Sequence, residues 1–482
     1  MMKSTYLLFA LCIFLIGQSV QLLGQDAHYW TEQFGNKSML LGGNVIGSVD
    51  DLGATFYNPA RLALQDDPKF LISAKAYQLS TLRVKDGVQK ADLNESTFGD
   101  APTLAAGSFK VPFMPKHKFA YAFLSRQQVN YSLGTRSELT YEYNDTWPGE
   151  ETLYVDFNVN KTIKDEWMGG SWAYALNERW SVGASGFASI LNQSRTYQLF
   201  EDGLSSDSSA VASYERTRIK KYSFTSAVFK LGVNYESKNF SAGLTVTTPY
   251  LVVRKSGKVD YDEVLAGFDL DEDGDIDNDA RLIKNTTSDV DVNYKTPFSI
   301  GVGSAYDFGP VKLHVSAEWF DKVSRYAVMT PAPFYAQKVP DYLLSASGPL
   351  EIKDRLYDER HSVINWGFGV ELSLVKKVKG FLSMSSDYST LPETGPIADG
   401  LPTDNFTNSI FTANIFHYGG GFMLNFDKIE LTMGTTYSRG TQTIGKIVNL
   451  PGDDTNPEVA VDVLWERWRF LVGFSLPFYK FG

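Results

Sequence analysis

Along most of this chain apolar and polar positions alternate with a period of two. Val311, Leu313, Val315, Ala317 and Trp319 alternate with Lys312, His314, Ser316 and Glu318. Ile364, Trp366, Phe368, Val370, Leu372 and Leu374 stand against Asn365, Gly367, Gly369, Glu371 and Ser373. Near the end, Trp468, Phe470, Val472, Phe474 and Leu476 repeat the pattern. A period of two sends successive side chains to opposite faces of a strand. One apolar face backed by small or charged residues is what a lipid-exposed, water-lined wall demands.

The pattern predicts strands near 69–82, 103–113, 117–131, 134–143, 152–161, 166–176, 179–198, 220–235, 239–255, 289–306, 310–328, 362–375, 379–388, 412–426, 428–441 and 465–478. Some of those between 134 and 176 fit a hairpin beyond the wall equally well, so the pattern allows roughly 12 to 16 wall strands, an even number being expected of a single-chain barrel. Most exceed the five or six residues usual in soluble sheets and meet the roughly 9–11 needed to cross a bilayer at a tilt. A soluble sandwich or propeller would alternate in the same way toward its core. Strand length and the aromatic residues at strand ends favour lipid.

Connections alternate in length. Pro115-Lys116, Asn177-Glu178, Ser237-Lys238, Phe308-Gly309-Pro310, Val378-Lys379 and Asp427-Lys428 read as tight periplasmic turns. The stretches 199–219, 256–288, 329–361, 389–411 and 442–464 are rich in Asp, Pro, Ser and Asn and read as long extracellular loops. The fold expected is therefore all-β: a transmembrane antiparallel β-barrel.

Composition sharpens this picture. Aromatics reach 14%, with 40 glycines, and mean hydropathy is only -0.20. Beyond the first residues no apolar run is long enough for a membrane helix, a test to which a barrel is blind. A net charge of -11 argues against nucleic acid as a partner. Lys3 and the apolar stretch Tyr6–Gly17 read as a signal peptide over 1–24, with cleavage between 19 and 25. The sole cysteine, Cys12, lies inside it, so the mature chain is expected to lack disulfides and thiolate metal sites.

Between that leader and the first strand lies the most informative stretch, 39–64. A glycine-rich start (Gly42, Gly43, Gly47) leads to Asp50-Asp51, an aromatic step, then Asn58-Pro59-Ala60 and an apolar turn. Asn before Pro is a strong turn signal, since the residue before proline is pushed out of the helical region. This order resembles the N-terminal hatch of the FadL/TodX family of outer-membrane transporters of hydrophobic compounds. The resemblance implies a 14-stranded barrel over 66–482 with a hatch over 26–65, and Asp50, Asp51, Asn58, Pro59 and Ala60 as hatch or gate residues. It further implies uptake of hydrophobic small molecules such as long-chain fatty acids or aromatic hydrocarbons, in contact with outer-membrane lipids. PorV-like members of the same group resemble transporters but serve as shuttle or anchor subunits of a protein secretion system, with protein partners on their extracellular loops. That alternative stays open.

Two chemical features remain. Asp269, Asp271, Asp273, Asp275 and Asp277, with Gly274, form a D-x-D-x-D-G run whose hard oxygen ligands suit Ca²⁺. Ala280 stands where an EF-hand has its bidentate Glu, so a calcium loop and a solvated acidic loop are both consistent with it. The histidines are scattered, and His314 beside Ser316 and Glu318 is what any lumen-facing polar row shows, so no enzyme is expected. The inward row holds Lys230, Lys312, His314, Glu318, Glu371, Asp387, Arg467 and Arg469, interspersed with Leu71, Tyr77, Phe187, Val228, Phe320 and Leu471. The apolar members either line a ligand pocket or pack the plug.

Overall fold

A computed structural model describes residues 27–65, 69–88, 91–141, 147, 149–267, 279–339, 350–391, 412–426, 429–445 and 460–477. The alternating pattern forms strands β1 (Lys69–Val88), β2 (Ala91–Phe109), β3 (His117–Tyr141), β4 (Glu151–Ala175), β5 (Trp180–Leu204), β6 (Val211–Glu236) and β7 (Phe240–Thr247). Next come β8 (Leu251–Ala266), β9 (Arg281–Ser288), β10 (Asp291–Val292), β11 (Ser299–Asp307) and β12 (Val311–Phe320). After β13 (Val323–Thr330), β14 (Phe334–Tyr335), β15 (Glu351–Ile352) and β16 (Leu356–Arg360), the chain returns through β17 (Val363–Val375) and β18 (Val378–Asp387). It ends with β19 (Ile415–Phe426), β20 (Ile429–Gly445) and β21 (Ala460–Pro477).

Fourteen of these form a closed antiparallel barrel: β1 to β7, β11, β12 and β17 to β21, with β21 pairing back onto β1 from Lys69↔Pro477 to Val84↔Val463. Closure gives every strand of the ring two neighbours, as a barrel in a bilayer requires. The other strands decorate one end. There β8 continues the edge of β6 above β7, and β9 adds to β8.

The surplus of expected strands has a simple origin. The segments 117–131 and 134–143 are one strand, β3, and 152–161 with 166–176 are one strand, β4. Each has 25 residues, roughly 80 Å of strand, far more than a bilayer needs. On β5 the outward residues from Trp180 to Ile190 are apolar or small, whereas Asn192, Ser194, Thr196 and Gln198 above them are polar. The wall thus runs on past its lipid-facing band as an extension with a core of its own, including Val129, Leu133, Val155, Phe157, Tyr197 and Trp465. For the same reason 199–219 is no open loop: β5 and β6 pair to Leu204↔Val211 across a short turn. Likewise, strands β8 and β9 occupy much of 256–288, and the short strands β14 to β16 fall within 329–361.

The short turns fall at the opposite rim. Residues 376–377 join β17 to β18, so Val378 and Lys379 open a strand instead of forming the turn. Asp427-Lys428 lies outside the described residues. Exposed Trp180, Phe240, Tyr306 and Phe308 ring this rim, and Trp366, Tyr418 and Trp468 sit at the other edge of the band. Aromatic girdles of this kind mark both interfaces of a membrane barrel.

Alternation fixes which face each residue takes. Trp366, Phe368, Phe470 and Phe474 are exposed on the outside, while Glu318, Glu371 and Arg469 are buried inside. Tyr77 departs from the expected inward row and is exposed. A bulge shifts the β1–β21 register between Lys75 and Tyr77, which flips every later residue of β1 to the other face.

Candidate functional site

The segment 27–65 lies inside the barrel, built from a one-turn helix Lys37–Leu40, a second at Ala54–Tyr57 and a 3₁₀ turn Pro59–Leu64. Its apolar side chains, among them Phe34, Leu40, Val45, Leu52 and Leu62, pack with wall residues Leu71, Trp167, Phe187, Val228 and Leu471.

Each residue of the sequence motif has a defined place. Asp51 accepts from Asn36 N (2.8 Å), Ser38 N (3.1 Å), Ser38 Oγ (3.0 Å) and Gly53 N (2.8 Å), so one carboxylate gathers both helical turns. Burial, together with neighbouring Asp50, raises its pKa, and the donors of Ser38 and Gly53 oppose that rise. Asp50 points the other way, toward the short-turn rim, and pairs with Lys37 Nζ at 2.9 Å. Asn58 is fully buried: its Nδ2 donates to Ile46 O (2.8 Å) and to Val233 O of β6 (3.2 Å), and its Oδ1 caps Ala60 N (3.1 Å). Pro59 starts the 3₁₀ turn, where its missing N–H costs nothing. Ser181 Oγ of β5 holds Ala60 O at 2.9 Å.

The glycines explain how closely the plug sits. Gly42 and Gly43 have φ of 65° and 76°, the left-handed region. At Gly47 a side chain would meet Gly303 O of β11 at 2.3 Å, so here two backbones touch.

A strap, residues 28–33, crosses above this plug and is bound by charged wall residues. Asp387 of β18 accepts from Tyr29 N (3.0 Å), Trp30 N (2.9 Å) and Thr31 Oγ1 (2.8 Å). Glu32 is buried among Lys75 of β1 (3.0 Å), Arg467 (3.5 Å) and Arg469 of β21. Burial alone would raise its carboxyl, but Arg469, Lys75 and Arg467 outweigh this and hold it down at about 2.

Between strap, plug and wall is a cavity of about 90 Å³, lined among others by Trp30, Phe56, Arg126, Trp167, Lys230 and Tyr250. Arg126 donates to Tyr29 O (2.9 Å) and lies 5.6 Å from the Phe56 ring centre. Lys230 Nζ sits 4.6 Å over the same ring. Arg126 also marks a break in the wall. The β2–β3 ladder runs only from Phe109↔Phe119 to Leu104↔Leu124. Beyond it, among the described residues, β2 pairs with β1 alone and β3 with β4 alone, and β3 bulges between Ser125 and Gln127. The cavity therefore adjoins a seam in the barrel.

Arg126, Glu32 and Tyr250 were not singled out from sequence. Leu124 and Val129 both face inward at an odd spacing, which signals a slipped register, and the bulge bearing Arg126 is that slip. The histidine pairs are enclosed: His314 Nδ1 meets Ser48 Oγ at 2.7 Å and His417 Nδ1 meets Ser438 Oγ at 2.7 Å, all four buried. The acidic run Asp269, Asp271, Asp273, Asp275 and Asp277 and the leader 1–24 lie outside the described residues, among which no cluster of metal ligands occurs.

No family model and no curated relative matches the chain. Solved structures do match. A Pseudomonas aeruginosa FadL homologue aligns at 12% identity over 94% of this chain and 100% of its own, with a TM-score of 0.53. The Ralstonia pickettii toluene transporter TbuX aligns at 12% identity over 93% and 99%, TM-score 0.55. The P. putida toluene transporter TodX gives 14% identity over 93% and 99%, TM-score 0.55. The fold is that of the FadL/TodX channels. In this FadL-type barrel the fourteen-strand wall and the inward-folded N-terminal segment are thus parts of one known architecture.

Proposed function

We propose that this chain is an outer-membrane channel that takes up small hydrophobic molecules. The observation that carries this reading is the aromatic cavity enclosed by plug and strap and set against the β2–β3 seam. Burying the apolar part of a ligand against these rings gains about 0.8 kcal/mol per CH₂. The seam offers it a lateral way into the bilayer past the plug. The short-turn rim is then periplasmic and the extension extracellular.

Bridging the seam tests this. The seam opens just past the Leu104↔Leu124 pair. Thr103→Cys with Ser125→Cys, one step past the last ladder pair and joined by a short cleavable crosslinker, is expected to lower uptake of a hydrophobic probe by about tenfold or more and to recover on cleavage. Uptake that ignores the bridge sinks the lateral route.

The second reading, a barrel that carries proteins for a secretion machine, is favoured by the extension, whose polar outer surface and separate core suit a docking platform. Mass spectrometry of the protein purified in detergent separates the two: co-eluting small lipophilic molecules support the channel, and a stoichiometric protein partner supports the carrier.

A further inference from the structure

We infer that the cavity seats the carboxylate of a small aromatic acid on Lys230, which sets the class of ligand; this rests on the channel reading above. Lys230 is 5% exposed, faces the cavity and, among the described residues, has no hydrogen bond and no carboxylate oxygen within 4.0 Å. Its contact is the Phe56 ring. The charged groups facing it are Glu318 and Arg126. Both oxygens of Glu318 are already engaged, by Trp30 Nε1 at 2.9 Å and Ser299 Oγ at 2.7 Å. Arg126 adds positive charge and spends one donor on Tyr29 O.

A second unpartnered group stands beside the lysine. Thr247 pairs directly across from Lys230 on the same face, lines the cavity, and its buried Oγ1 has no hydrogen-bond partner. An ammonium and a free hydroxyl side by side, with a guanidinium nearby, match the two oxygens of a carboxylate. A neutral hydrocarbon filling the cavity would strip water from Lys230 and leave its charge uncompensated. The walls above the seat are rings, Phe56, Trp167 and Tyr250. At about 90 Å³ the space is below the roughly 150 Å³ that takes a benzene ring, so a ring enters only as half-buried Trp30 gives way.

Calorimetric titration of the full-length protein in detergent with benzoate, toluene and palmitate tests the assignment. Benzoate is expected to bind most tightly, with affinity at least roughly thirtyfold weaker in Lys230→Met and largely kept in Lys230→Arg. Toluene binding is expected to be weaker and unaffected, or improved, by Lys230→Met. Thr247→Val is expected to weaken benzoate about five- to tenfold and spare toluene, a readout that stands if Lys230→Met fails to fold. Toluene bound as well as benzoate and indifferent to both substitutions overturns the carboxylate seat while leaving the channel intact. Palmitate bound more tightly than benzoate overturns the aromatic acid. Binding of none of the three overturns the channel reading itself.

Discussion

Asn58 ties three stretches of backbone together, the plug at Ile46, its own turn at Ala60 and the wall at Val233. Its amide lies against Gly232 and Gly243, where an added Cβ would come within 2.2 Å of Oδ1 and 2.6 Å of Nδ2. Asn58→Ala leaves the buried Ile46 carbonyl and the Ala60 N–H short of partners, at about 1–3 kcal/mol each. The expected outcome is a loosened plug, read as increased leak of a small solute, in a barrel that still shows its folded band on gels without boiling. A variant that never assembles would make the motif a folding element instead of a gate. Glu32 acts on the strap in the same manner. Its folded pKa is depressed, so its contribution is complete above the ordinary value of 4.5 and fades as pH falls toward about 2. Amide exchange in residues 28–33 is therefore expected to stay slow from neutral pH to about 5 and to accelerate below 4.5. Glu32→Gln, which strands Lys75, Arg467 and Arg469 together, is expected to give fast exchange at every pH.

At the scale of the strands, Phe368→Arg or Phe474→Arg, set on the lipid face, is expected to destabilise the barrel by about 2–4 kcal/mol near the midplane, measured by urea unfolding in lipid. Tyr77→Arg is expected to do likewise, because the bulge has turned Tyr77 outward. A destabilisation confined to Phe368 and Phe474 would put the register of β1 in doubt. The wall was legible because Trp366 and Phe368 declare one face and Asn365 and Glu371 the other. Strand number was not, since β3 and β4 keep the same alternation over an apolar core, Val129 to Phe157, after leaving the lipid. Alternation reports a buried face without saying whether the other meets lipid or water. Within the site, Asn58-Pro59-Ala60 showed itself as a local turn signal. The solitude of Lys230 did not, because it depends on Glu318, 88 residues away, being held by Trp30 and Ser299.

For the molecule as a whole, the lipid-facing barrel and the extension have separate cores and are expected to fail separately. Phe157→Ala, removing a ring packed 5.7 Å from that of Tyr197, is expected to cost about 3–5 kcal/mol in the extension alone. Limited proteolysis should then cut β3 to β5 above the band and leave a protected membrane core; uniform resistance would show that the two halves support each other. The closure of β21 on β1 has a further consequence, for assembly. The strand that shuts the ring also carries Arg467 and Arg469, which grip Glu32 from inside. β21 therefore closes with its full set of partners only when the N-terminal segment lies in the bore, so closure and plugging favour each other. A ring shut with its stopper outside would have two guanidinium groups facing an empty bore as the standing penalty against that mistake.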